Sequence, residues 1–138
     1  MRRDLNFEVV YPNPPGEVWR ALTDTNSLAD WLMENNFAAR VGHKFQFRTK
    51  TGLGITRIIE CEVLEVDEPR TLSYRWGTDG SVVTFTLEPT AEGTRLRLEH
   101  KGFQGVRGRA LAWILCKGWN HKIQQRLPAI LGRMGSQA

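Results

Sequence analysis

The side chains able to do chemistry are few and scattered. Three histidines (His43, His100, His121) and two cysteines (Cys61, Cys116) are spread over 138 residues at no metal-ligand spacing, so neither a metal nor a cofactor is expected. The sequence has no glycine-rich phosphate loop, no pair of histidines at helical spacing and no Gly-x-Ser-x-Gly elbow. Cys116 beside His100 or His121 would form a thiolate pair, but a cysteine midway along an apolar helical stripe is ordinarily an inert filler. With no paired acid and base visible, the reading favours a non-enzymatic role, and a hydrolase or cyclase would have to work through an inward ionisable group such as His100 or Tyr74.

Composition limits what must position these groups. A chain of 138 residues with 41% hydrophobic and 25% charged side chains is long enough for one domain, 1–138, with its own core and no staples. The longest apolar run, Ala110 to Cys116, is about a third of the roughly 20 residues a membrane span needs. The alternating start Leu5-Asn6-Phe7-Glu8 has no apolar signal core, which points to a cytoplasmic protein with reduced thiols. Charge is uneven: residues 1–100 carry 12 basic and 15 acidic side chains, whereas 101–138 carry 7 basic and none acidic. That excess suits an anionic ligand or nucleic acid, or simply a solvated helix face with Arg126 and Arg133 near the negative end of the dipole. Without a nucleic-acid motif the last reading is preferred, and no nucleic-acid partner is expected.

Periodicity supplies the elements. A strand from Asp4 to Tyr11 ends at Pro12-Asn13-Pro14-Pro15, and two short helices follow, Gly16 to Leu22 and one beginning near Asp24 or Thr25. From Lys44 the period is two: Phe45 and Phe47 face one way, a glycine turn at Thr51 to Gly54 follows, and a long strand runs from Thr56 to Val66 with a parity slip at Leu64-Glu65-Val66 that signals a bulge. Asp79-Gly80 as a two-residue hairpin apex pairs Trp76 with Val83, Tyr74 with Phe85 and Leu72 with Leu87. A four-residue loop at Thr90 to Gly93 pairs Leu87 with Leu96, Phe85 with Leu98 and Val83 with His100. It also sets Glu88 beside Arg95 and aligns Glu99 with Thr84 and Arg75. Val106, Ala110, Trp113, Cys116, Trp119, Ile123, Leu127 and Ile130 mark one long helix, Gly105 to Leu131, with Pro128 disturbing its last turn. The expected architecture is α+β, a curved six-stranded antiparallel sheet wrapped around the terminal helix.

Several segments then stand together as a set: Val18-Trp19-Arg20-Ala21-Leu22-Thr23-Asp24, Leu28-Ala29-Asp30-Trp31-Leu32, Val41-Gly42-His43-Lys44-Phe45, Cys61-Glu62-Val63-Leu64-Glu65-Val66, Leu72-Ser73-Tyr74-Arg75-Trp76, Val83-Thr84-Phe85-Thr86-Leu87-Glu88 and His100-Lys101-Gly102-Phe103. In this order the chain resembles the single-domain relatives of the activator of heat-shock-protein-90 ATPase, in the START-like (SRPBCC) helix-grip superfamily. The resemblance implies a helix-grip fold with a cavity between helix and sheet. It also implies a stress-response setting and a weak chaperone contact, since the family's principal chaperone contact is made by a separate N-terminal domain.

The functional expectation is a module that holds a small apolar or amphipathic molecule. Its lining would be Trp31, Phe45, Phe47, Tyr74, Trp76, Phe85, Leu98, His100, Trp113, Cys116 and Trp119, with Tyr74, Trp76 and His100 as polar anchors. A buried imidazole at position 100 needs a hydrogen-bond partner, from a ligand or from Tyr74, a backbone carbonyl or water. Gly52, Gly54 and the stretch Glu34 to Gly42 would supply access loops. A co-chaperone-like interaction module is the alternative.

Overall fold

Alternating apolar residues build a sheet whose strands run, in spatial order, β1-β7-β6-β5-β4-β3-β2. The structure, a computed structural model, describes residues 3–50, 53–77, 80–103 and 105–136, with side chains for all of these except 3, 105–107, 109–111, 135 and 136. Gly52 and Asp79, assigned to turns from the sequence, lie outside these residues, as do the side chains of Val106 and Ala110. The elements are β1 (Arg3–Tyr11), α1 (Pro15–Thr23), α2 (Thr25–Trp31), β2 (Glu34–Asn35), β3 (Lys44–Lys50), β4 (Thr56–Asp67), β5 (Thr71–Trp76), β6 (Ser81–Pro89), β7 (Thr94–Phe103), α3 (Gly105–His121), a π-helical turn (Lys122–Arg126) and α4 (Leu127–Ser136). The sheet thus has seven strands where six were expected, because the two-residue β2, paired with Phe47 and Arg48, is too short to leave a periodic trace.

Most local signals translate directly. Asp24 caps α2 by accepting from the Ser27 backbone N–H at 3.0 Å, and Pro15 opens α1, where its missing N–H is no loss. The register slips between Val63 and Glu65, so Leu64 is the extra residue; the bulge keeps both Val63 and Val66 opposite the inward Tyr74 and Leu72. Leu87↔Leu96, Phe85↔Leu98, Val83↔His100 and Glu88↔Arg95 pair as expected.

The β5–β6 hairpin differs. Trp76 pairs with Ser81, Tyr74 with Val83 and Leu72 with Phe85, two residues away from the expected register. The connection is a four-residue loop, 77–80, with Gly77 and Gly80 at positive φ (68° and 85°). A slip of two leaves every side chain on its face, so hydrophobic alternation cannot detect it. Arg75 consequently stands opposite Val82, out of line with Glu99, and pairs instead with Glu62 of β4 at 2.9 Å.

The terminal helix is one rod with a widened turn. Leu127 N–H donates to Lys122 O, five residues back, and Pro128 has no N–H to give, so the sequence-level disturbance falls one turn upstream of the proline. The Ile123 carbonyl would take its bond from Leu127 in an α-turn or from Pro128 in a π-turn. It receives instead the Tyr11 hydroxyl of β1 at 2.7 Å, which ties rod to sheet. Asn13 Nδ2 donates to Leu131 O at 2.8 Å on the same side, and Thr94 Oγ1 to Asn13 O at 2.7 Å. Two of the terminal cations also have structural posts. Lys122 donates to Leu32 O and Arg126 to Asp30 O, meeting the open carbonyls and negative dipole at the end of α2.

Tyr11→Phe should therefore lose about 1–3 kcal/mol by stranding a buried carbonyl. In a Pro128→Ala background, where residue 128 regains an N–H, the same change should cost less. Equal losses by urea unfolding in both backgrounds would refute this coupling.

Candidate functional site

Large rings fill the space between rod and sheet because their parity leaves them nowhere else to go. The backbone of α3 comes closest to the sheet at β1 and β7, and the wider side, over β3 to β6, is spanned by aromatic side chains. Trp31, Phe45, Phe47, Tyr74, Trp76, Phe85, Leu98 and Trp119 are buried in one hydrophobic cluster, with His100 buried against Trp76 and Trp119. Tyr74 is its hub, with ring centroids of Phe45 at 5.2 Å, Phe47 at 6.0 Å, Phe37 and Phe85 at 6.1 Å, and Trp76 at 6.5 Å. Most of these contacts are edge-on or tilted, the arrangement ring quadrupoles prefer.

Of the other two expected lining residues, Trp113 turns outward and Cys116 packs against the edge of the cluster. Trp113 is 55% exposed, and its ring carries the Lys117 ammonium 4.2 Å from the centroid. Cys116 is only half-buried. The reason is angular. Residues 113, 116 and 119 are two consecutive steps of three, which leaves Trp113 about 120° away from Trp119 around the helix, whereas Ala112, seven residues before Trp119, faces the same way. Ala112 is the buried one. The stretch Glu34 to Gly42, read as an access loop, contains β2 and the buried Phe37.

His100 is fully buried and satisfied by the protein. The Trp119 indole, which can only donate, gives its Nε1–H to His100 Nδ1 at 3.1 Å. The ring proton therefore sits on Nε2, which donates to Ser81 Oγ at 3.0 Å, and the serine hydroxyl passes its own hydrogen to Trp76 O at 3.2 Å. Four elements, α3, β7, β6 and β5, are joined by this relay. Both ring nitrogens thus have protein partners, and neither Tyr74 nor an external group is required to satisfy them. Ser81, buried in the apolar wedge, was missed from the sequence. The available signal was its inward parity with Val83 and Phe85, one diagonal step from His100.

Tyr74 is the opposite case. Its hydroxyl is buried and is the one buried side-chain polar atom among the described residues with no hydrogen-bond partner. Burial, with a smaller contribution from the nearby Cys61, pushes its pKa well up. Burial likewise raises Tyr11 and pushes the Cys61 thiol up to about 12, against a small lowering by the Gly77 backbone N–H, so Cys61 is a protonated core thiol. Among the described residues no group of three His, Cys, Asp or Glu stands close enough to hold a metal, and no helix is long and apolar enough to cross a membrane. Hollows of ≈ 370 Å³ and ≈ 340 Å³ lie on the polar outer face of the sheet, the first among Lys44, Gln46, Glu60, Glu62 and Arg75 and the second among Asn6, Glu8, Arg97 and Glu99.

Comparison with known proteins fits this geometry. The sequence profile of the family described as Activator of Hsp90 ATPase homolog 1-like protein matches residues 12–132. The chain is similar to the crystal structure of MLL2253 from Mesorhizobium loti, with 37% identity, a TM-score of 0.85, and 95% of this chain and 98% of that one covered. It is also similar to the solution structure of Bacillus halodurans BH1534, with 31% identity, a TM-score of 0.79, and 94% and 98% covered. DynU16, a protein in the dynemicin biosynthetic locus, shares the fold at 26% identity and a TM-score of 0.76; the match covers 94% of this chain and 47% of that one. No curated protein matches the sequence.

The raised pKa values set an alkaline limit on stability. A free thiol ionises near 9.0 and a free phenol near 10.0, while folded Cys61, Tyr11 and Tyr74 hold their protons higher. Above about pH 9 the unfolded chain releases protons first, so unfolding free energy should fall as pH rises, by at most about 1.4 kcal/mol per group per pH unit. Lys122, lowered by burial and by Arg126, acts in the opposite sense but is one half-buried group against three. Urea unfolding from pH 8 to 11 should show this decline, with a shallower slope in Tyr74→Phe. A flat profile would contradict it.

Proposed function

We propose that the chain, which belongs to the Activator of Hsp90 ATPase homolog 1-like family, binds a small apolar or amphipathic molecule between the terminal rod and the inner face of the sheet. The observation that carries the reading is the Tyr74 hydroxyl. An unsatisfied buried hydroxyl costs about 1–3 kcal/mol, and a ligand oxygen accepting its hydrogen bond would recover that cost. The surrounding rings, Phe45, Phe47, Trp76 and Phe85, offer flat apolar faces to the rest of such a molecule. Rings fill this space in the structure, where the sequence implied a cavity, so entry of such a molecule requires Phe37 to move off Tyr74.

Recognition here is by shape and one hydrogen bond. The imidazole of His100 is engaged by Trp119 and Ser81, which leaves Tyr74 as the specific polar contact. A naphthalene dye with a single ketone acceptor, prodan, mimics the expected ligand class. It should bind saturably with blue-shifted emission, and Tyr74→Phe should weaken it about tenfold, the worth of one hydrogen bond. The variant should melt no lower than the parent at neutral pH, since it removes an unsatisfied group. Equal affinity in both proteins would overturn the proposal. So would no prodan binding together with no small molecule carried through purification in native mass spectrometry.

A further inference from the structure

The β3–β4 hairpin reaches past β5 on one side and, beyond Arg48, past the short β2 on the other. β5 ends at Trp76, opposite Cys61, so residues 56–60 of β4 and their partners on β3 run on for about 17 Å at 3.3 Å per residue. At and near its tip Leu53 is 87% exposed, Ile55 60% and Ile58 52%. Between Glu34 and Glu60 the chain holds five cations, Arg40, Lys44, Arg48, Lys50 and Arg57, and no carboxylate. All five are exposed.

A second surface has the same composition. α3 follows directly on β7, whose last residues lie at the same end of the sheet as the β5–β6 loop and the root of this hairpin. Two turns along, α3 presents Trp113 and Ile114, 55% and 59% exposed, with Lys117 lying over the indole. Residues 101–138 contain seven cations and no carboxylate; of these Lys101 pairs with Glu99, and Lys122 and Arg126 are held at the end of α2, so Lys117 is the cation seen beside Trp113.

From these features we infer that the hairpin tip and the outer face of α3 dock on an anionic lipid bilayer, with Leu53, Ile55, Trp113 and Ile114 entering the headgroup boundary and the cations meeting lipid phosphate and carboxylate. Charge complementarity selects the partner: the hairpin tip beyond Glu34 and Glu60 carries Lys50 and Arg57 and no carboxylate, and Trp113 and Ile114 on α3 are joined by Lys117. Lysine is depleted at interfaces between proteins, so Lys50 on the hairpin and Lys117 over Trp113 favour lipid, whereas tryptophan and arginine suit either partner. Apolar groups on a projecting tip can enter a soft boundary without needing a complementary pocket.

Sedimentation with phosphatidylcholine vesicles containing 30% phosphatidylserine tests this. Binding is expected at 0.1 M salt, with about a tenfold loss on raising salt to 0.5 M or on omitting phosphatidylserine. Leu53→Ser and Trp113→Ser should each reduce it about fivefold or more, with melting temperatures unchanged because both side chains are exposed. No vesicle binding would overturn the inference, as would binding indifferent to both serine variants, which is plain charge attraction. A response to only one variant would refute the two-part surface. A dimer in light scattering that either variant dissociates would assign the face to a second copy of the chain instead.

Discussion

The hydrogen bond from the Trp119 indole to His100 Nδ1 fixes where the terminal rod lies against the sheet. It joins two fully buried groups from the rod and from β7, and neither could remain unsatisfied in an apolar interior without a cost of about 1–3 kcal/mol. Because the indole can only donate, the bond also dictates the imidazole tautomer. The tautomer then dictates that Ser81 accepts, and Ser81 reaches the Trp76 carbonyl across the mouth of the β5–β6 hairpin. Rod, β7 and β5–β6 are thereby locked in one geometry. With Trp119 inward, the helical repeat sends Trp113 outward.

A second tether lies one turn beyond. Pro128 and the widened turn leave the Ile123 carbonyl for the Tyr11 hydroxyl, so the irregularity that a proline imposes on the rod becomes a link to β1. Held at β1 and β7, the rod stays farther from β3 to β5. Aromatic rings rather than backbone span that side, and there the Tyr74 hydroxyl is left without a partner. The candidate site therefore follows from the way the rod is tethered.

Much of this was legible in the sequence because it depends on parity and local chemistry. Alternation placed Phe45, Phe47, Tyr74, Phe85 and Leu98 on the inner face, the parity slip at Leu64-Glu65-Val66 signalled the bulge, and of the two candidates Asp24 and Thr25 it is Asp24 that caps the helix. What escaped depends on quantities that alternation does not encode. A two-residue slip between β5 and β6 changes partners without changing faces, so Ser81 rather than Val83 pairs with Trp76. Repeated steps of three along a helix drift, which hid the outward turn of Trp113. A π-turn has no compositional mark beyond the proline after it. Whether His100 or Tyr74 is the satisfied group is a property of three-dimensional neighbours, and the sequence placed both inward without distinguishing them.

The division of labour between these two residues rests on the imidazole being committed to the protein. Long-range proton–nitrogen NMR of the histidine rings tests it most directly. The account predicts a neutral His100 with its proton on Nε2, an Nδ1 shift typical of an acceptor, and a Trp119 indole proton protected from exchange. A proton on Nδ1, or an indole proton exchanging freely with solvent, would contradict it.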